Sequence, residues 1–489
     1  MTDEYALTPE LDAATVLRRL GSRLELEAGA PAVRDRTVYD TFDGLLHAAG
    51  ATLAHEAGEL VLTGADGRVL AREAAATAPK AVRAADLPAA AELLDVRAAA
   101  PIARLRLRTV AVRVLDGRRK TVVRLAVHDA GPQLGVRLAV TPVRGYDKSL
   151  ARVRGLLEDD LGLRPARASL VDAAVLAAGG TPGGVQTKVE LELDPRMRAD
   201  TAAVVVATQL LRVIDVNLPG TLADTDTEFL HDLRVSVRRT RALQRELRKV
   251  FPPDELARMR TEFKHLQQVT GPTRDLDVHL LDLEAMGDGE LEPLRRMLAG
   301  ERAAEQRKMV RALSSRRTRR VLDEWGALLA GLTERPEDDR PAAARRVGRV
   351  AGKRIRHVYG QMVEMGSAID DDSPAEALHD LRKKGKELRY LLEFFSSLFD
   401  ADEVKPMVKT LKALQEVLGR FQDYEVQAHT LRDLGARLAP EGEPAALMAM
   451  GALVAQLEVD QAVARAEFAE VFGPFAAKRR RKAVEATFR

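Results

Sequence analysis

The chain is 489 residues long and carries 76 Lys and Arg against 73 Asp and Glu, with nine His, one Trp and no Cys. At roughly 100–200 residues per domain this is room for two or three domains with ample core, and the lack of cysteine removes disulfides, thiolate metal sites and cysteine nucleophiles together. No stretch approaches about 18 uninterrupted apolar residues, and the acidic start MTDEYALTPELDA has no apolar signal core, so the expectation is a cytoplasmic protein with no membrane partner.

In chain order, Asp12–Leu26 reads as a helix, and Gly58–Leu62, Gly64–Gly67 and Arg68–Ala71 read as a hairpin. The Ala-rich stretch 73–100 is either helical or a loose connection. Val112–Leu115, the Asp116–Gly117 turn and Thr121–Val127 form a second, stronger hairpin, because β-branched residues flank a D-G signal. Ser149–Leu161 is a further helix, and Thr187–Leu193 (TKVELEL) alternates like a half-buried strand. Residues 1–193 are therefore expected to form an antiparallel α+β domain, followed by a linker at 194–200. From 201 to 489 apolar residues recur at three- and four-residue steps, broken near 219, 252, 271, 287, 336, 372, 400 and 440, which predicts an all-α domain.

That second half repeats itself without gaps at an offset of 148 residues over about 54 positions, a third of them identical. LHDLRVSVRRTRALQRELRKVF from Leu230 matches LHDLRKKGKELRYLLEFFSSLF from Leu378, and KHLQQVTGPTRDLDV from Lys264 matches KALQEVLGRFQDYEV from Lys412. The expected fold is a helical bundle of two related units, about 201–330 and 340–489. Many identical positions are polar: His231/His379, Asp232/Asp380, Arg234/Arg382, Arg241/Arg389, Lys264/Lys412 and Asp275/Asp423, with Arg238/Lys386 similar. Packing alone would preserve apolar residues, so the retained cations point to a shared ligand surface.

Charge is segregated as well. Residues 295–320 hold ten basic and two acidic residues, and residues 340–356 hold seven basic and none acidic. Arg234, Arg238, Arg241, Arg245 and Arg248 recur at helical steps on one face. The second copy keeps Arg382, Lys386 and Arg389. Arg345/Arg346, Arg349, Lys353 and Arg356/His357 form another stripe, and Arg302, Arg307 and Arg311 a looser one running on to Arg320. Like charges at these spacings repel by a few tenths of a kcal/mol per pair, a cost an anion would relieve. Several stripes predict an extended polyanion rather than one phosphate group, and no P-loop or GxGxxG element is present. Arginine forks suit phosphate oxygens, and His231 and His379 are candidate donors.

Single-stranded nucleic acid calls for aromatic platforms, but aromatics are 4% of the chain and the stripes hold none. Inorganic polyphosphate fits cations without aromatics, with other polyanions and nucleic acid as competing partners. Glu228-x-x-His231 and Glu376-x-x-His379 have di-iron spacing, but Arg234 and Arg382 one turn away oppose a cation, so neither a metal nor another cofactor is expected. Asp232, Asp380, Asp275 and Asp423 are expected to orient arginines, and Lys478–Lys482 (KRRRK) to be a solvated tail.

These repeat residues, LHDLRVSVRRTR, F-P, GPTRDLDV and the second LHDLRKKGKELRY, resemble the CHAD family, the conserved histidine α-helical domain, over roughly 201–480. The resemblance implies two pseudo-symmetric four-helix repeats with a basic surface for inorganic polyphosphate. By position it would be lined by His231, Arg234, Arg238, Arg241, Lys264, Arg274, His379, Arg382, Lys386, Arg389 and Lys412, to which the stripes add Arg245, Arg346, Arg349, Lys353, Arg356 and His357. Gln422 stands where the first copy has Arg274. The first half is similar in outline to the CYTH or triphosphate-tunnel enzymes through Tyr39-Asp40-Thr41, Asp43, Leu45 and Arg144-Gly145-Tyr146-Asp147. It departs from them at DEYALTP (residues 3–9), which lacks E-x-E-x-K, and at Ala54, His55 and Glu56, where the family has arginines. Glu190 and Glu192 are the remaining carboxylate pair. The expectation is a partial or degenerate tunnel-type β-barrel without catalysis, attached to a polyphosphate-binding bundle and associated with polyphosphate granules. The alternative activity is metal-dependent tri- or polyphosphate hydrolysis by the N-terminal half.

Overall fold

The computed structural model describes residues 3–186, 191–286 and 289–489, and the chain divides into two units, Met1–Thr187 and Lys188–Arg489. In the first unit, β-branched and alternating runs give nine strands: β1 (Asp3–Ala6), β2 (Glu25–Ala28), β3 (Ala32–Asp40), β4 (Thr52–Glu56), β5 (Glu59–Thr63), β6 (Val69–Ala74), β7 (Ala100–Leu115), β8 (Thr121–Asp129) and β9 (Val136–Pro142). All pair antiparallel in the order β1-β9-β8-β7-β3-β4-β5-β6, with β2 on β7. No ladder joins β1 to β6 among the described residues. Short helices connect it: α1 (Ala13–Gly21), α2 (Leu45–Ala48), α3 (Ala91–Leu94), α4 (Asp147–Gly155) and α5 (Leu170–Ala177).

Both expected hairpins are present, as β5–β6 and β7–β8. In the latter the Asp116 carboxylate accepts from the amides of Arg118 and Lys120, which fixes the turn and its register. The helix expected over Asp12–Leu26 is shorter, because Asp12 caps it and the chain enters β2 after Gly21. The Ala-rich stretch holds only a short helical passage at 88–94. On β7, Leu105 and Leu107 point to one face and Arg104, Arg106 and Arg108 to the other. The apolar helix α5 packs on the first face against Val38, Ala103, Leu105 and Leu107. Of the strand expected at Thr187–Leu193, Thr187–Glu190 lie outside the described residues and Leu191–Leu193 are not in a strand.

The second unit is helical: α6 (Ala199–Ala223), α7 (Thr227–Glu246), α8 (Pro253–Val269), α9 (Gly271–Met286), α10 (Glu292–Leu313), α11 (Arg316–Gly331), α12 (Val347–Ser367), α13 (Ala375–Phe395), α14 (Ala401–Leu438), α15 (Pro444–Ala476) and α16 (Lys478–Thr487). Helix α6 opens at Ala199, inside the stretch expected as a linker. The starts of α6 and α12, of α7 and α13, and of α8 and α14 are each 148 residues apart, the offset of the sequence repeat. Pro272 opens α9 after a break, whereas Arg420 at the matching position lets α14 run on as one helix. Similarly Ser315 caps α11 and separates it from α10, whereas the second copy ends in the single continuous helix α15.

One large core joins these helices apart from α9, which packs with α10, α14 and α15 in a smaller cluster; in the large core Trp325 is wholly buried between Phe251 and Phe263 at 5.6 Å ring separation. Within it Asp200, 0% exposed, takes a bidentate pair from Arg198 (3.0 and 2.7 Å) and faces the equally buried Arg340 at 3.7 Å. Arg340 also donates to the carbonyls of Pro336 and Val250, which fastens the 335–346 connection to α6. Helices α6 and α15 are long and apolar enough to cross a membrane by length and composition; α6 is a core helix here, and α15 packs along α14.

Lys478–Lys482 is not a tail. It forms the start of α16, whose Val484 and following Phe488 are buried, with the Phe488 ring 4.7 Å from Phe399. A Cβ on Gly352 of α12 would overlap the Phe488 carbonyl. Gly352→Ala is accordingly expected to cost about 1–3 kcal/mol in urea unfolding by displacing α16, which trypsin would then cleave at the KRRRK run.

Candidate functional site

Helix α7 buries Leu230, Leu233, Val237 and Leu243 in the core, and the 3.6-residue period places Arg234, Arg238, Arg241 and Arg245 beside that face. The helix ends at Glu246, so Arg248 falls in the following turn and the stripe spans four arginines, roughly 16 Å. They are not equivalent. Arg234 donates to the Gln267 carbonyl (3.1 Å) and Thr270 Oγ1 (3.0 Å), and burial lowers its pKa, so it anchors the end of α8. Arg241 donates to Gln267 Oε1, with its pKa lowered by burial and then by Arg245 and Arg260. Arg245 is tied to Glu246 at 2.7 Å. The Arg238 Nε is buried without a hydrogen-bond partner.

Arg238, Arg241 and Arg245 line a cavity of about 440 Å³ together with Arg260 and Lys264 of α8 and Tyr390 of α13. Among the described residues no carboxylate lies within ion-pair distance of Arg238, Arg260 or Lys264. Five cations thus converge on one concavity with few counter-charges. Arg260, one turn before Lys264, was visible as a helical spacing. Tyr390 corrects the expectation of a surface without aromatics, although it is only 5% exposed and packs on Phe394.

The α13 stripe meets this one. Burial lowers Lys386 to about 8, and Arg382, Arg238 and Arg389 push it the same way, so the matched positions Arg238 and Lys386 share one field. Around Lys386 the second copy is more neutralised. Arg382 pairs with Asp423 at 2.8 Å, Arg389 pairs with Glu393 at 2.8 Å and lies 5.8 Å over the Tyr390 ring, and Glu393 also takes Arg239 of α7 at 2.9 Å. Lys412 is exposed on α14.

Other expected residues have local duties. Arg274 faces Glu228 at 3.5 Å and the Thr227 carbonyl. His379 donates from Nδ1 to Gln422 Oε1, so the Gln422 that replaces an arginine holds the histidine. His231 is half-buried on α7. In α12, Arg346 occupies the N-cap position, and Arg349, Lys353 and His357 are exposed. Arg356 turns to α16, contacting Glu485 at 3.4 Å and the Phe488 carbonyl, and lines a separate cavity with Tyr359 and Arg481. Between α12, α7 and α13, Arg354 bridges the buried Glu246 and Glu387 (2.5 and 2.6 Å). Arg302 is held by Asp224 and by Asp277 at 2.8 Å, which raises its pKa.

Of the two Glu-x-x-His pairs, Glu376 is exposed, and among the described residues no group of three or more His, Asp or Glu converges. In the first unit, Asp40 accepts from the amides of Thr41, Leu46 and His47, so the Tyr39-Asp40-Thr41 segment shapes the turn into α2. Gly145 has φ +85° and Asp147 opens α4, a comparable structural use of Arg144–Asp147. His55 contacts the Ala75 carbonyl at 2.7 Å, and Glu56 pairs with Arg36 at 3.0 Å. Glu190 lies outside the described residues.

Residues 205–432 match the family model of the CHAD domain. The crystal structure of the CHAD domain from the plant Ricinus communis superposes with a TM-score of 0.51 and 26% identity, over 59% of this chain and 96% of that one. PptA from Streptomyces chartreusis aligns at a TM-score of 0.41 and 20% identity, over 56% of this chain and 99% of that one. Uncharacterized proteins from two strains of Mycobacterium tuberculosis are 28% identical over 278 residues, 53% of this chain and 52% of theirs. The chain thus spans about half the length of the curated relatives it matches.

Proposed function

Starting from the CHAD domain at residues 205–432, a domain linked in general to polyphosphate binding, we propose that this protein binds inorganic polyphosphate noncatalytically. The observation that carries the reading is the α7–α8 cavity, where Arg238, Arg260 and Lys264 lack carboxylate partners among the described residues. Arg382, Lys386 and Arg389 extend it, and the two copies act as pseudo-symmetric four-helix repeats meeting near Arg238 and Lys386. Guanidinium forks and lysine charge pair with phosphate oxygens along the chain, and released counterions make affinity fall with salt, as for nucleic acids. The first unit is a CYTH-like sheet without the family's metal carboxylates. Its half-buried Glu4 and buried Asp40 are engaged on backbone amides, which disfavours hydrolysis; phosphate release by the full chain with Mg²⁺ or Mn²⁺ would reinstate it. Localisation in the cytoplasm on polyphosphate granules accords with this ligand.

The direct test measures binding of fluorescent polyphosphate of defined length, with DNA and heparin as competitors at matched charge. Polyphosphate is expected to displace both, and failure to bind it at low salt overturns the proposal. Lys386 supplies a second check. A bound polyanion holds its proton, so binding takes up protons near pH 8, and affinity is expected to fall about tenfold from pH 7 to pH 9. Lys386→Arg keeps its charge and should flatten that profile; an unchanged profile would place the titrating group elsewhere.

A further inference from the structure

The two copies differ most where the cavity lies. Arg245 and Arg260 in the first copy correspond to Glu393 and Val408 in the second, although Arg241 and Lys264 recur as Arg389 and Lys412. Gln244, which lines the cavity and is 0% exposed, corresponds to Leu392. Neither Nε2 nor Oε1 of Gln244 has a hydrogen-bond partner. An amide left unpaired in the interior costs about 1–3 kcal/mol, and Leu392 shows that the matching helical position accepts an apolar side chain. The cavity copy thus carries an orphaned donor and an orphaned acceptor at a floor ringed by cations.

An anion's oxygens would satisfy Nε2 and the surrounding guanidinium groups. Oε1 is different: it requires a ligand that also donates. Interior units of a polyphosphate chain are fully ionised and have acceptors only. A terminal unit has a second ionisation resembling that of a phosphate monoester, near pH 6, and so retains a hydroxyl on part of the population at neutral pH. Only the chain end offers both functions. On the far side, Glu393 neutralises Arg389 and Arg239 where a continuing cationic track would need a free charge, so the track is weaker beyond the cavity.

We infer that the α7–α8 cavity is a chain-end site, in which Gln244 pairs with the terminal phosphate through both its amide atoms while Arg238, Arg241, Arg245, Arg260 and Lys264 hold the anionic oxygens. This rests on the polyphosphate reading and names which part of the polymer is recognised. The experiment compares ordinary polyphosphate with the same length of chain methyl-esterified at both terminal phosphates, which removes the terminal hydroxyls, using the full chain at pH 6.5. The free-ended polymer is expected to bind about tenfold more tightly, and Gln244→Leu to lose most of that preference by weakening the free-ended complex alone. At equal total phosphate, short chains should also compete better than long ones, a readout that needs no variant. Equal affinity of free and esterified chains for the unaltered protein overturns the chain-end site while leaving polyphosphate binding intact. A preference that survives undiminished in a folded Gln244→Leu protein overturns the role of Gln244. Binding of neither polymer overturns the underlying function and this site with it.

Discussion

Replacing Arg238 and Lys264 together by glutamate is expected to lower polyphosphate affinity by about a hundredfold or more while leaving the helical fold in place. Each charge-assisted hydrogen bond contributes about 1.5–3 kcal/mol, and the substitutions remove one such donor from each wall of the cavity. Neither residue has a carboxylate partner among the described residues, so reversal breaks no internal ion pair; an acid at 238 would gain Lys386 as a neighbour. Arg234 is the wrong target, although the repeat singles it out, because its bonds to Gln267 and Thr270 hold α7 against α8. The control is Arg307→Glu with Arg311→Glu on α10, an equal change in net charge on exposed cations outside the cavity. It is expected to shift affinity about twofold, the weight of a screened surface field. Equal losses for the two double variants would mean that the protein attracts polyanions by overall charge and has no defined groove.

Asp200→Ala is expected to destabilise the helical unit by about 3–5 kcal/mol, because it strands the fully buried Arg340 without its carboxylate. The same carboxylate receives Arg198 in a bidentate pair, so the connection at 335–346 loses both its tie to α6 and its charge balance. Trp325 is the one tryptophan of the chain and lies wholly buried in this unit, so its emission during urea unfolding reports this unit alone. Asp200→Asn keeps an acceptor but not the charge and should fall between the two. A loss below about 1 kcal/mol for the alanine variant would mean that Arg340 is already balanced by the Pro336 and Val250 carbonyls.

Local signals carried far in this chain. The D-G turn predicted β7–β8, Asp12 marked a helix start, and the 148-residue offset reappears in the starts of three helix pairs. The cation stripe on α7 was legible because spacing alone puts Arg234, Arg238, Arg241 and Arg245 on one side. What spacing could not show was which of them are already engaged. Arg234 and Arg302 look like ligand cations in the sequence and are held by partners 25 to 78 residues away. Glu393 looks like the end of a stripe and in fact neutralises two arginines from two helices. The KRRRK run gave no hint of its place in the fold, because Phe488, the residue that docks it, lies beyond the basic run. Gln244 was invisible for the opposite reason: an uncharged side chain on the core-facing side of an amphipathic helix has no pattern, and only the cavity beside it gives it meaning.

The central claim is that a defined set of cations in the helical unit binds a polyanion by direct charge pairing, and the slope of log affinity for polyphosphate against log salt concentration tests it most directly. With about five cavity cations and a single-strand-like loss of roughly 0.7 counterion per contact, the expected slope is near −3 to −4. A slope near zero, or no measurable binding at low salt, would contradict it.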